Sequence, residues 1–192
     1  MYRKGNKEWG ILALYLGDYT RQFYLREISK LTKIPLKTTQ NIVAILEKNN
    51  ILKSDTRGRN KYFKLNLENI QTKFYLLQSE IHKTALFVDK YPTFKTFLKE
   101  VKPGSTIIVF GSFAKSTADK HSDLDLLVIS KGEEPLPLHL LPYKIHQIKM
   151  SETSFTKLLE KQETLIKEVE ENHIILDNHS FYMNIMWGRY GK

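Results

Sequence analysis

Two apolar runs bracket a Gly111-Ser112 pair and, after a gap of ten residues, the triplet Asp123-Leu124-Asp125. No other stretch of the chain restricts its folding so tightly. The first run, 106–110, feeds the Gly-Ser turn, a short segment of helical character follows, and the second run opens with two carboxylates in alternation. On a strand, residues two apart share a face, so Asp123 and Asp125 project together while Leu124 and Leu126 face the other way. Two carboxylates held this close repel one another unless a cation lies between them. A hard divalent ion such as Mg²⁺ takes oxygen ligands of this kind together with substrate phosphates. Gly111 lets the backbone approach a phosphate closely, and Ser112, at an expected helix N-terminus, adds a hydroxyl and free N–H groups. The pattern predicts a phosphate cradle facing a metal-binding pair.

Gly-Ser, ten residues and Asp-x-Asp resemble the signature of the DNA polymerase β-like nucleotidyltransferase superfamily. The flanking segments 113–115 and 122–126 are most similar to its minimal, MNT-type branch. The resemblance covers residues 90–190 in outline and implies a nucleotidyltransferase fold. It further implies transfer of a nucleoside monophosphate from an NTP to a hydroxyl, with one or two Mg²⁺ ions on Asp123 and Asp125. Gly111 and Ser112 would grip the β- and γ-phosphates, with Lys115 and Ser122 beside them. The family carries a third carboxylate on a later strand, and here the pattern departs. The candidate strand, Tyr143–Met150, contains no Asp or Glu. Depending on register, His146, Gln147 or Ile148 takes the third position. Of these, only a neutral histidine can accept a proton near pH 7.

Charge divides the chain. Residues 1–70 hold 14 Lys/Arg against 6 Asp/Glu, whereas 71–192 hold 16 against 15, so nearly all of the net +9 lies in the first third. Such asymmetry points to a polyanion partner for that part. Within it, 9–16 reads as a buried helix, and 25–31 as a second helix with Leu25, Ile28 and Leu31 on one side. Pro35 makes a break, and 36–48 is a third helix that buries Leu36, Thr39 or Gln40 in part, then Val43 and Leu46. Strands at 51–55 and 60–65 flank a basic turn. This order resembles a winged helix-turn-helix. The resemblance implies double-stranded DNA as partner, with Lys37, Thr38 and Asn41 entering the major groove and Arg57, Arg59 and Lys61 on the backbone or in the minor groove. The competing reading is a protein-interaction module.

Leu67, Ile70, Phe74, Leu77, Ile81, Ala85 and Val88 recur at three and four residues and predict an amphipathic helix of about 20 residues. Its stripe is expected to form an interdomain core, with a homodimer contact as the alternative. Further helices are expected over 94–101, and as one helix from Phe155 to Val169. The 173–176 segment is an apolar step, 181–187 a last helical turn or two, 168–171 a solvated acidic face, and 132–137 an exposed loop.

The expected architecture is α+β: a winged helix-turn-helix at 1–68, a connecting helix at 69–90, and a small mixed sheet with helices at 91–192. No apolar run approaches the 18 residues of a membrane span, and the start lacks the apolar core of a signal peptide. Zero cysteines exclude thiolate chemistry and fit a cytoplasmic protein. Two function classes remain: an enzyme acting on a protein or nucleic-acid hydroxyl, or a DNA-bound regulator with an inert or nucleotide-sensing domain, antitoxin-like and paired with a toxin protein.

Overall fold

The computed structural model describes residues 7–132 and 135–191. The segment 1–6, considered for a signal sequence, and Glu133-Glu134 of the expected loop lie outside the described residues. The chain forms two compact units, Met1–His82 joined by Met186–Lys192, and Lys83–Ile185.

In the first unit, α1 (Lys7–Leu12) runs into a 3₁₀ turn at Ala13–Tyr15. A two-residue strand, β1 (Phe23–Tyr24), precedes α2 (Leu25–Thr32) and α3 (Leu36–Lys48), and a hairpin of β2 (Leu52–Arg57) and β3 (Asn60–Leu65) follows. The strands pair antiparallel in the order β1-β3-β2, so β1 adds a third strand that the sequence pattern does not announce. Lys33, left-handed at φ 57°, stops α2. Gly58, at φ +60°, opens the two-residue hairpin turn, a position that suits glycine. Tyr15 lies buried in the core and donates a hydrogen bond of 3.0 Å to the Phe63 carbonyl, tying the 3₁₀ turn to the sheet. Two expectations fail here. Leu31 and Leu36, expected on buried faces, are 52% and 44% exposed, while Ile28, Thr39, Val43 and Leu46 fill the core.

The connecting helix α4 (Ile70–Lys90) forms with its faces reversed. Ile70, Phe74 and Ile81 of the expected core stripe are about half exposed. The buried face consists of Thr72, Leu76, Ser79, Glu80, Thr84 and Phe87. Polar residues can occupy it because their hydroxyls reach backbone carbonyls. Thr72 donates to Asn66 at 2.8 Å, Ser79 to Trp9 at 2.7 Å, and Thr84 to Ile175. A buried hydroxyl that finds an acceptor avoids the roughly 1–3 kcal/mol cost of an orphaned one.

The second unit is built on a four-stranded mixed sheet of β4 (Thr106–Phe110), β5 (Leu124–Ile129), β6 (Ile145–Met150) and β7 (Ile174–Asp177) in the order β6-β5-β4-β7. β4 pairs antiparallel with β5 and β7, and β5 pairs parallel with β6. Against one face, Phe94 and Phe97 of α5 (Thr93–Glu100) pack on Ile107, Val109, Leu124, Leu126, Ile174 and Leu176. Each such side chain contributes about 1.5–3 kcal/mol of apolar burial. Leu127 and Ile129 on the opposite face are also buried, so both sides of the sheet are covered. The single helix expected to Val169 is two, α7 (Glu152–Lys161) and α8 (Thr164–Glu171), broken where Gln162 turns left-handed at φ 54°. The acidic segment is not a solvated face: Val169 and Glu170 are buried. The apolar step is strand β7, and the last helix, α9 (His179–Tyr190), spans 12 residues. No helix among the described residues is long and apolar enough to cross a membrane.

Candidate active site

The end of β4 delivers Gly111 directly beside the second aspartate. Phe110 is the cross-strand partner of Asp125, and α6 (Gly111–Ala114) starts at the next residue with Gly111 at φ +65°. A Cβ at Gly111 would overlap Asp125 Oδ2 and stand 3.1 Å from its Cγ. Only glycine combines this backbone conformation with that proximity. The turn then closes on itself: the Ser112 carbonyl accepts from the N–H groups of Thr117 at 3.0 Å and Ala118 at 3.1 Å. This leaves the Gly111-Ser112 backbone rigidly set against the carboxylate.

Asp123 lies one residue ahead of β5, and Asp125 is its second residue. Both remain reachable from solvent, with side chains 43% and 26% exposed. Lys144 Nζ sits 2.8 Å from Asp123 Oδ2, and its pKa is held above the ordinary lysine value by that hydrogen bond and by the charge of Asp123. The β5–β6 register shows which of the candidate residues lies beside Asp125. Asp125 pairs with His146, whereas Gln147 and Ile148 pair with Leu126 and Leu127. His146 Nδ1 lies 3.2 Å from Asp125 Oδ1, with the ring largely exposed. Asp123, Asp125 and His146 therefore line one end of the sheet next to the Gly-Ser turn.

The other residues expected at the phosphate site are placed less directly. Lys115 forms a 2.7 Å ion pair with Glu168 of α8. Its pKa is raised by the hydrogen bond and charge of Glu168, and the negative charge of Asp125 adds to the shift. Ser122 is turned back on Asp119, accepting from its N–H at 2.9 Å and approaching its Oδ1 at 3.1 Å. Sequence reasoning misses Lys144 and Glu168. Lys144 is legible in principle, since parallel pairing of Leu124 with Ile145 puts 144 beside 123. Glu168 offers no local signal.

The donor set suits Mg²⁺. Two carboxylates with accessible oxygens beside a glycine cradle match an ion that is bound through one or two carboxylates plus substrate phosphates. Among the described residues no group of three or more His, Cys, Asp or Glu could hold a metal ion, so the remaining ligands would come from phosphate and water.

In the first unit, Lys37, Thr38 and Asn41 lie on the first turns of α3, with Lys37 and Asn41 exposed and Thr38 half-buried. Two of the three hairpin cations are already paired: Arg57 with Asp55 at 3.2 Å, and Lys61 with Glu47 at 2.8 Å. Arg59, in the turn, has no such partner among the described residues. Arg26, Gln40, Arg59 and Lys61 contribute to an open groove between α3 and the hairpin.

Comparison with known proteins bears on the second unit. The nucleotidyltransferase domain family matches residues 92–183. A probable protein adenylyltransferase MntA of Haemophilus influenzae (strain ATCC 51907 / DSM 11121 / KW20 / Rd) is 34% identical over 91 residues, covering 40% of this chain and 78% of that protein. No solved structure matches the chain.

Proposed function

The chain belongs to the nucleotidyltransferase domain family, and from that premise we propose that its second unit binds ATP with Mg²⁺ and transfers AMP to a hydroxyl of a protein. The observation that carries this reading is the contact of the Gly111 turn with Asp125, which sets a phosphate-binding backbone against a metal-binding carboxylate. The choice of ATP and of a protein acceptor is supported by the name of the Haemophilus relative; a nucleic-acid hydroxyl is the competing acceptor.

Gly111 and Ser112 would hold the β- and γ-phosphates, and Asp123 and Asp125 would hold the metal. Bound there, Mg²⁺ supplies charge neutralisation for the triphosphate. The acceptor oxygen forms a bond to the α-phosphorus, the bond to the bridging oxygen breaks, and pyrophosphate leaves. His146 takes the hydroxyl proton: with its Nδ1–H donated to Asp125, Nε2 carries the lone pair. Lys115 balances the developing negative charge once it is released from Glu168. Lys144 positions the Asp123 carboxylate through their 2.8 Å ion pair.

The first unit is read as a winged helix-turn-helix on double-stranded DNA, with Lys37, Thr38 and Asn41 on the bases and Arg57, Arg59 and Lys61 on phosphates. The support is the charge concentrated in residues 1–70 and the order of α2, α3 and hairpin. A cytoplasmic location belongs to the same reading, supported by the lack of cysteine. One observation favours a second reading, a DNA-bound regulator or antitoxin-like partner of a toxin: a histidine replaces the acid that the family uses to activate the hydroxyl.

Calorimetric titration of the full chain with ATP tests the site. Binding should require Mg²⁺ and vanish in Asp123→Asn/Asp125→Asn. Metal-dependent affinity that survives in the double variant places the nucleotide elsewhere.

A further inference from the structure

The parts of the candidate active site follow one another across the sheet of the second unit. The Gly111 turn closes β4, Asp123 and Asp125 open β5, and His146 lies on β6. β6 is the last strand in that order, and among the described residues it pairs with β5 alone. With the phosphates on the β4 side of the carboxylates, an acceptor hydroxyl has to reach His146 from the other side, across the outer edge of β6. That edge is open to solvent: the side chains of Lys144 and His146 are 83% and 63% exposed.

The backbone of the edge is set for pairing. Leu124 donates its N–H to the Lys144 carbonyl at 2.8 Å, and Ser130 donates to the Met150 carbonyl at 3.1 Å. The even positions of β6 therefore face β5. By the alternation of a strand, Ile145, Gln147 and Lys149 turn their N–H and C=O groups outward. An extended segment can add there as a fifth strand, main chain to main chain. We infer that the acceptor protein is bound in this way, as an extended, acid-bearing segment laid along the outer edge of β6. A residue opposite His146 then projects from the same face, with Cβ atoms about 5 Å apart, which brings a hydroxyl on it beside Nε2. Charge selects the segment. Tyr143–Met150 carries Lys144, His146 and Lys149 and no acid. A second copy of this chain would set those lysines against their own counterparts, and like charges on opposite strands resist pairing, whereas Asp or Glu gains from them. The inference rests on the transfer reading and adds to it the form in which the acceptor is recognised.

The full chain with Mg²⁺, α-labelled ATP and a cell lysate as acceptor source tests it, with ATP–Mg²⁺ affinity measured in parallel. Proline at 147 or 149 removes an outward N–H, a loss that an edge strand tolerates without disturbing its ladder to β5. Gln147→Pro with Lys149→Pro should lower protein labelling by about tenfold or more, one hydrogen bond at each position, while ATP–Mg²⁺ affinity stays within about twofold. Gln147→Ala keeps the N–H and should label like the wild type. Lys149→Glu leaves the backbone intact and should lower labelling by about two- to fivefold, because it turns an opposite-charge pair into a like-charge one. Labelling that survives the double proline variant, or that Lys149→Glu leaves at the wild-type level, overturns the inference while the transfer reading stands. If the prolines also abolish ATP binding, the Lys149→Glu comparison decides alone. A wild type that labels no protein defeats the transfer reading and the inference together. A wild type that is dimeric in sedimentation velocity and becomes monomeric with the prolines would assign the edge to a second copy and overturn the inference too.

Discussion

Gly111→Ala is the substitution for which the structure makes the sharpest demand. At φ +65° any L side chain adopts the left-handed region, which costs about 1–2 kcal/mol. The new Cβ would also overlap Asp125 Oδ2 and press on Cγ at 3.1 Å. The easiest relief is for the aspartate to swing off its rotamer, at about 0.5–1.5 kcal/mol, breaking its 3.2 Å contact with His146. The expected loss of stability is therefore roughly 2–3 kcal/mol, measured by urea denaturation. The loss of function should be larger. A reacting group misplaced by about 1 Å costs on the order of 10²-fold in rate, so AMP transfer should fall by that order, and ATP–Mg²⁺ affinity measured by calorimetry should fall with it, while the protein remains folded. Gly188→Ala is the control. It lies within α9, where an added Cβ would meet nothing within 4 Å and φ is not positive. It should stabilise by about 0.4–1 kcal/mol and leave nucleotide binding unchanged. An alanine at 111 that binds nucleotide within about twofold of wild type would refute the proposed cradle.

Binding of the full chain to duplex DNA should weaken with salt, and Arg59→Ala should flatten the log–log slope by about 0.9; Arg57→Ala should do less, because Arg57 already pairs with Asp55, and salt-independent binding would reassign the unit to protein contacts. His146→Ala should slow transfer by roughly 10²–10⁴-fold with ATP affinity little changed; brisk transfer in the variant would mean the base lies elsewhere. Burial alone would raise the Glu47 carboxyl, but hydrogen bonds from Lys61 and Ser54 and the Lys61 charge hold it below its ordinary value of 4.5. Its contribution is thus present above about pH 4.5 and lost as pH falls through the lower folded value. Glu47→Gln should cost about 1 kcal/mol at pH 7 and progressively less as pH falls below 4.5, and a loss that stays constant through acid unfolding would contradict this.

What the sequence disclosed about the fold followed from how local each signal was. The Gly-Ser turn, Asp125 and the strands around them depend on residues adjacent in the chain, and the structure brings them together as expected. Which of His146, Gln147 and Ile148 lies beside Asp125 depends on register, which is visible only in the parallel pairing of β5 with β6. Periodicity misassigns the faces of α4 because it follows the apolar row, whereas the buried side mixes Leu76 and Phe87 with Thr72, Ser79, Glu80 and Thr84. The hydroxyls of Ser79 and Thr84 find their acceptors 70 and 91 residues away, and no window on the helix contains that information. The break between α7 and α8 falls on a glutamine in a left-handed conformation, a position where sequence alone predicts no stop. Strands β1 and β7, of two and four residues, are too short to show a period. Lys115 illustrates the limit for side chains: its position beside the turn is legible, its ion pair with Glu168, 53 residues on, is not.

The central claim is that this site moves the nucleotidyl group of ATP, and the position of the label decides it. The full chain would be incubated with Mg²⁺, a cell lysate as acceptor source, and ATP labelled at either the α- or the γ-phosphate. The account predicts protein-bound label from the α-labelled nucleotide alone, dependent on Mg²⁺ and absent with Asp123→Asn/Asp125→Asn. Incorporation from the γ-position, or none from either while ATP binds normally, would contradict it.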